Sequence, residues 1–227
     1  FSAMVPLQVY NTLQIAAERE RLCRTDILII GGGAIDAGLE AEIRQLPGKV
    51  YSTYGMTETL SHIALRRLNG PDASTLYYPF PSVRLSLSPE HTLIIDAPLV
   101  CDTILVTNDV AEINSDGSFS ILGRKDNTIN TGGIKVQAEQ VEDILRPWIH
   151  VPFAITSVSD AALGEAVVLL IENGGYTERL EEKMKELLTK YQLPKMVFSV
   201  GTIPLTETGK INRAGCRQLA ATYQVGR

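Results

Sequence analysis

The sequence predicts an α/β large-domain fragment with antiparallel β-strands, followed by a small α+β carboxyl-terminal domain, and three textures along the chain predict it. Ile27-Leu-Ile-Ile30 is apolar without alternation, as in a strand covered on both faces of a parallel sheet. Short alternating runs separated by turn residues then fill 74–122. After Gly123 strands and helices are mixed in a third pattern.

Residues 1–5 read as the middle of a buried strand running into a helix, with Pro6 suited to the first helical turn. Leu7, Val9, Leu13, Ala16 and Ala17 give 6–22 a helical stripe. The strand at 27–30 leads to Gly31, Gly32 and Gly33, and Asp36 then serves as N-cap of a helix carrying Leu39, Ile43 and Leu46, which Pro47-Gly48 stops. A strand at 50–53 is followed by a polar loop, and this order is that of an α/β sheet. Strands are expected at 82–87, 92–95, 103–106, 111–113 and 119–122, with Asp116-Gly117 as a hairpin signal.

Beyond Gly123 a hairpin is expected over 128–136 around Gly132-Gly133. A helix at 138–145 turns Val141, Ile144 and Leu145 inward and ends at Pro147. Strands follow at 153–158, 166–171 and 197–200. Between the last two lies a charged helix, 177–191, with Leu180, Met184, Leu187, Leu188 and Tyr191 as its stripe and Glu181–Lys185 and Glu186–Lys190 as supporting pairs. The chain therefore divides into 1–123, a connection at 124–126, and 127–227.

Composition bounds the function. A net charge of -5 over 227 residues offers no basic footprint, so nucleic acid is not an expected partner. No apolar run approaches the ~20 residues of a membrane span. Cys23, Cys101 and Cys216 are far apart and form no metal spacing, in keeping with a reducing cytoplasm. The first residues have no basic n-region and no initiating Met, and read as the interior of a longer chain whose large domain begins upstream.

Three stretches could carry chemistry. The glycines at 31–33 follow a strand, but Asp36 breaks the dinucleotide fingerprint. They fit a tight turn as well as a ligand cradle. Tyr51-Ser-Thr-Tyr-Gly-Met-Thr-Glu58 ends a strand, where open α/β sheets place ligands. There Tyr54 supplies an aromatic face, Gly55 close backbone approach, Thr57 a hydroxyl for an anionic oxygen and Glu58 a carboxylate for Mg²⁺. Thr206-Glu-Thr-Gly-Lys210 sits in a late loop; Lys210 is a mobile point charge suited to an anion that develops during reaction. It is not a phosphate-binding loop, because the first glycine is missing and Ile211 follows the lysine.

In order, Tyr54-Gly-Met-Thr-Glu58, Thr107-Asn-Asp109, Gly123-Arg-Lys-Asp126 and Pro204-Leu-Thr-Glu-Thr-Gly-Lys-Ile-Asn-Arg213 resemble the adenylate-forming superfamily of acyl-CoA synthetases, peptide-synthetase adenylation domains and luciferases. The resemblance covers essentially the whole chain and implies ATP, Mg²⁺, CoA and a small carboxylic acid as ligands. It implies that Gly31, Gly32, Gly33, Tyr54, Gly55 and Met56 line the nucleotide and acyl pockets, that Thr57 meets the α-phosphate and that Glu58 holds Mg²⁺. Asp109 would bind the ribose hydroxyls, Arg124 would reach the nucleotide, and Asp126 would be the hinge. Lys210 would bridge carboxylate and α-phosphate, and Gly132 and Gly133 would line the CoA tunnel. Asn108 stands where the family commonly has Gly, and Ala138 where it has Pro; neither removes a functional group.

Within the superfamily, 54–63 is most similar to the o-succinylbenzoate–CoA ligases of menaquinone synthesis, which makes Ser61 and His62 expected substrate contacts. The family's phosphate loop ending in Pro-Lys does not occur in the sequence, so the resemblance implies an inactive fragment. Two other readings stay open: an aryl- or amino-acid-activating enzyme that loads a carrier protein, and a non-catalytic nucleotide-binding half.

Overall fold

In a computed structural model that describes residues 1–33, 35, 37–206 and 209–225, the opening strand β1 (Ser2–Met4) pairs in parallel with β2 (Ile27–Ile30), and β2 with β3 (Lys49–Gly55). The chain divides into two compact units, Phe1–Ile121 and Leu122–Arg227. In the first unit β4 (His62–Arg67) and β5 (Tyr78–Pro79) complete a five-stranded sheet in the order β1-β2-β3-β4-β5, both added antiparallel. The polar loop expected after residue 53 is thus largely strand, because β4 pairs side by side with β3.

Helix α1 (Pro6–Gln14) starts with proline at its first position, and α2 (Ala16–Cys23) follows. The single helix expected over 6–22 is broken at Ile15, which is extended at φ -109°. The break turns the chain so that Leu22 reaches the core already occupied by Val9 and Leu13. Helix α3 (Ala37–Ile43) adds Leu39 and Ile43 to the same core; Asp36, its expected cap, lies outside the described residues.

The expectation of a two-faced buried strand at β2 fails. Leu28 and Ile30 are buried, whereas Ile27 is exposed and Ile29 half-buried. Parallel connections are right-handed, so two successive crossovers moving the same way along a sheet put their helices on one face. Likewise β1 is an edge strand with Ala3 exposed, not an interior one.

Four antiparallel strands form a second sheet: β6 (Arg84–Leu87), β7 (Thr92–Asp96), β8 (Leu105–Ile113) and β9 (Phe119–Arg124). The two strands expected at 103–106 and 111–113 are one, since Thr107-Asn-Asp109 continues the extended backbone with Thr107 buried. The hairpin at Asp116-Gly117 forms as expected, with Gly117 at φ +82°. A core of Ile63, Leu93, Ile95, Ala111 and Phe119 joins β4 to this sheet, with Tyr54 and Met56 packed on it.

In the second unit β10 (Thr128–Thr131) and β11 (Ile134–Gln137) make the expected hairpin, with Gly132 and Gly133 both at positive φ. Helix α4 (Ala138–Leu145) follows, then β12 (Phe153–Asp160), β13 (Gly164–Glu172), α5 (Glu178–Leu187), β14 (Met196–Val200) and α6 (Arg213–Val225). Strand β13 is central: β12 lies antiparallel on one side and β14 parallel on the other, while β12 is an edge. Its residues serve two cores alternately. Val167, Leu169 and Ile171 meet α4 and α5, and Ala166, Val168 and Leu170 meet Cys216 and Ala220 of α6.

Helix α5 stops at Leu187 rather than 191, because both the amide and hydroxyl of Thr189 donate to Gln192 Oε1 in a separate turn. Lys185 pairs with Glu181 at 2.6 Å as expected, but Glu186 pairs with Lys183 at 2.5 Å instead of Lys190. Helix α6 was not among the expected elements, although Cys216, Leu219, Ala220 and Tyr223 have helical spacing.

Candidate active site

In the first unit the parallel strands β2 and β3 run side by side as far as Ile30 and Ser52, so residues 31–33 and the end of β3 with the turn after it, 54–58, lie at the same edge of the sheet. Open α/β sheets bind ligands outside the carboxyl ends of their strands. Gly31 is tied down by its amide, which donates to the Met4 carbonyl at 3.1 Å, and a Cβ there would lie 2.4 Å from Thr53 Oγ1. Gly32 takes φ +80°, which an L side chain rarely adopts.

Tyr54, one residue before the end of β3, points across to the second sheet. Its hydroxyl donates to Asp109 Oδ2 at 2.6 Å, and its ring meets Phe119 edge-on at 5.4 Å and Tyr77 at 5.9 Å. Two sequence-predicted residues 55 positions apart therefore touch, and a charge-assisted bond fixes both. The Thr107 hydroxyl accepts from the Asp109 amide at 3.1 Å, which braces the carboxylate from behind.

Past Tyr54 the strand bulges, and Gly55 is pressed against its neighbour: a Cβ would sit 2.3 Å from the Ser61 carbonyl oxygen and 2.7 Å from His62 Cα. The close approach expected at Gly55 is thus made by the protein's own chain. Thr57, Glu58 and Thr59 form one 3₁₀ turn that leaves Thr57 and Glu58 exposed. Thr59, absent from the expected site, is fully buried; its hydroxyl accepts from the Met56 amide at 3.1 Å and donates to the Ser61 carbonyl at 2.7 Å. Ser61 Oγ lies 3.1 Å from His62 Nδ1, and the His62 ring rests 5.6 Å from Phe80.

The second unit carries the other expected residues. Gly123 sits at φ +154° under Gln137 and Glu139, and a Cβ would approach Glu139 Oε2 to 2.6 Å. Arg124 and Asp126 pair at 3.3 Å at the surface. Gly132 donates its amide to the Leu163 carbonyl, and Gly133 opens to free space. Lys210 is exposed on a loop that closes on itself: the Thr206 amide donates to the Lys210 carbonyl at 2.7 Å, Lys210 donates to Thr206 Oγ1 at 3.2 Å, and Asn212 donates to the Pro204 carbonyl at 2.9 Å. Glu207 and Thr208 lie outside the described residues.

Sequence reasoning gave no role to the pair beneath this loop. Arg213 binds both oxygens of buried Glu142, at 2.5 and 2.9 Å, with Glu139 at 3.5 Å. Burial alone would disfavour the guanidinium charge, but the Glu142 hydrogen bonds and both carboxylates outweigh it and hold the Arg213 pKa above its usual value. Cys216 lies one turn on, and burial pushes its thiol up to about 11. The available signal was Glu142 itself, a charge on the inward face of α4 beside Val141 and Leu145.

No protein-family model matches the chain. The 2-succinylbenzoate–CoA ligase of Lactococcus lactis is 26% identical over 204 residues, covering 82% of this chain and 45% of that protein. The vibriobactin-specific 2,3-dihydroxybenzoate–AMP ligase of Vibrio cholerae is 32% identical over 120 residues, covering 50% of this chain and 22% of the relative. The chain thus spans less than half the length of these curated relatives. Among solved structures, an acyl-CoA synthetase (AMP-forming)/AMP-acid ligase II-like protein from Dyadobacter fermentans is 32% identical with a TM-score of 0.56, over 96% of this chain and 65% of that one. The chain is related in sequence and in fold to the AMP-forming acid ligases of the adenylate-forming superfamily, and resembles the 2-succinylbenzoate–CoA ligases among them.

Proposed function

We propose that this chain is the nucleotide-handling part of an ATP-dependent carboxylic acid–CoA ligase, which forms an acyl adenylate and then a thioester, with o-succinylbenzoate as the acid. The observation that supports this most is the Tyr54–Asp109 hydrogen bond at the end of two parallel strands. It joins an aromatic face for a base to a carboxylate for ribose hydroxyls, beside a turn with exposed Thr57 and Glu58. In this reading Gly31, Gly32, Gly33, Gly55 and Met56 bound the nucleotide, Arg124 reaches it, and Asp126 is the hinge. Gly132 and Gly133 flank the CoA path, and Ser61 and His62 meet the acid.

Attack of a carboxylate on the α-phosphate brings two anions together, so cations must offset the repulsion. Lys210 supplies one on an exposed loop. Among the described residues no group of three or more His, Cys, Asp or Glu is placed to hold a metal alone. A single carboxylate at Glu58 suits Mg²⁺, which commonly takes one or two protein carboxylates and completes its shell with phosphate oxygens and water. When bound it would neutralise phosphate charge. A second acid class is also supported, by the aryl-acid AMP ligase that matches half of the chain.

ATP–pyrophosphate exchange by the protein at its natural length separates these readings. Exchange that depends on o-succinylbenzoate is the expected result. Exchange with 2,3-dihydroxybenzoate instead would move the acid to the aryl class, and exchange with no carboxylic acid would sink the ligase reading.

A further inference from the structure

The geometry points to Arg213 as a positioning residue that, through Glu142 and strand β12, fixes the loop bearing Lys210. Arg213 is the first residue of α6 and lies three positions after Lys210. The intervening leg is short and bonded: Leu205 bridges Ile211, Asn212 donates to the Pro204 carbonyl, and Asn212 Oδ1 accepts from the Gly215 amide at 3.0 Å. Any displacement of Arg213 is therefore passed directly to the lysine backbone.

What holds Arg213 is a three-element knot. Its two terminal nitrogens fork onto Glu142 of α4. Glu142 Oε1 also accepts from the Ile155 amide at 2.8 Å, and Arg213 Nη1 donates to the Ile155 carbonyl at 3.3 Å. The fork thus registers the start of α6 against one residue of β12 and one residue of α4. A planar guanidinium bonded in two places has a defined direction, which an ammonium lacks. Buried ion pairs of this kind are often no more stabilising than apolar residues of similar volume. Stability is therefore a weak reason for this pair, and orientation of the loop is the stronger one. The consequence for chemistry rests on the ligase reading above; the consequence for the loop does not.

Amide hydrogen exchange in the 227-residue protein tests the clamp directly, with Arg213→Lys and the double variant Arg213→Met/Glu142→Leu. Exchange at Thr206, Gly209, Lys210 and Asn212 should rise at least tenfold in both variants. Val168, Leu169 and Leu170 in β13 should keep their rates. Unchanged loop exchange, or a rise shared equally by β13, would overturn the proposal by making the pair either dispensable or simply structural. In the protein at its natural length the same variants should lower kcat for adenylate formation at least tenfold with KM for ATP unchanged. Thioester formation from supplied adenylate should be retained; equal loss of both steps counts against the clamp. If the unsubstituted protein forms no adenylate, the ligase reading fails and the exchange rates alone decide the clamp.

Discussion

Gly55 illustrates how a single residue can be chosen by a neighbour it could not be seen to have. The motif around it was legible, and the need for a small residue was legible too. The partner was not, because the Ser61 carbonyl reaches Gly55 only after β4 folds back along β3 with a bulge. Backbone atoms cannot retreat as a flexible side chain can. Gly55→Ala should therefore destabilise the first unit by about 1–3 kcal/mol, the usual range for forcing a group into filled space. Chemical denaturation of the variant, followed by the fluorescence of tyrosines in that unit, gives the value. Tyr54 and Asp109 were each legible as candidate site residues, while their 2.6 Å bond depends on two sheets meeting. The Arg213–Glu142 fork was hidden for the same reason, with its partners 71 residues apart.

Elements were legible where local chemistry decides them. The paired glycines at 132 and 133 dictate a tight hairpin, and the 3.6-residue stripe of α4 dictates its buried face. Boundaries set by tertiary packing were not. Nothing local breaks the helix at Ile15, and nothing local joins 103–106 to 111–113; a core on one side and a ladder partner on the other do so. The glycine hairpin yields a quantitative expectation. Gly133 at φ +79° faces open space, so Gly133→Ala meets no clash and isolates the backbone cost. That cost should be about 1–2 kcal/mol, the penalty for an L residue in the left-handed region. It is read as a lowered melting temperature with the helix content unchanged.

At the scale of the molecule, both cores of the second unit are made from residues inside it. About 105 residues with cores on both faces of a sheet are within the ordinary size of an independent domain. Residues 122–227 expressed alone should therefore unfold in a single cooperative transition, with calorimetric and van't Hoff enthalpies in agreement. A broad, non-cooperative melt would mean that this unit depends on the rest of the chain. The structure divides between Ile121 and Leu122, and a change of texture near Gly123 was legible. The one-sided burial of the first sheet was not, since handed crossovers rather than composition place its helices.

The knot at Ile155 has one more consequence, which concerns many molecules rather than one. Strand β12 ends its sheet, and an edge strand with bare amides and carbonyls is a template on which another chain can add. At Ile155 both groups are already engaged, the amide by Glu142 and the carbonyl by Arg213. A charged pair sitting there denies that position of the edge to an incoming strand, so the side chains of the knot also work against edge-to-edge pairing at Ile155.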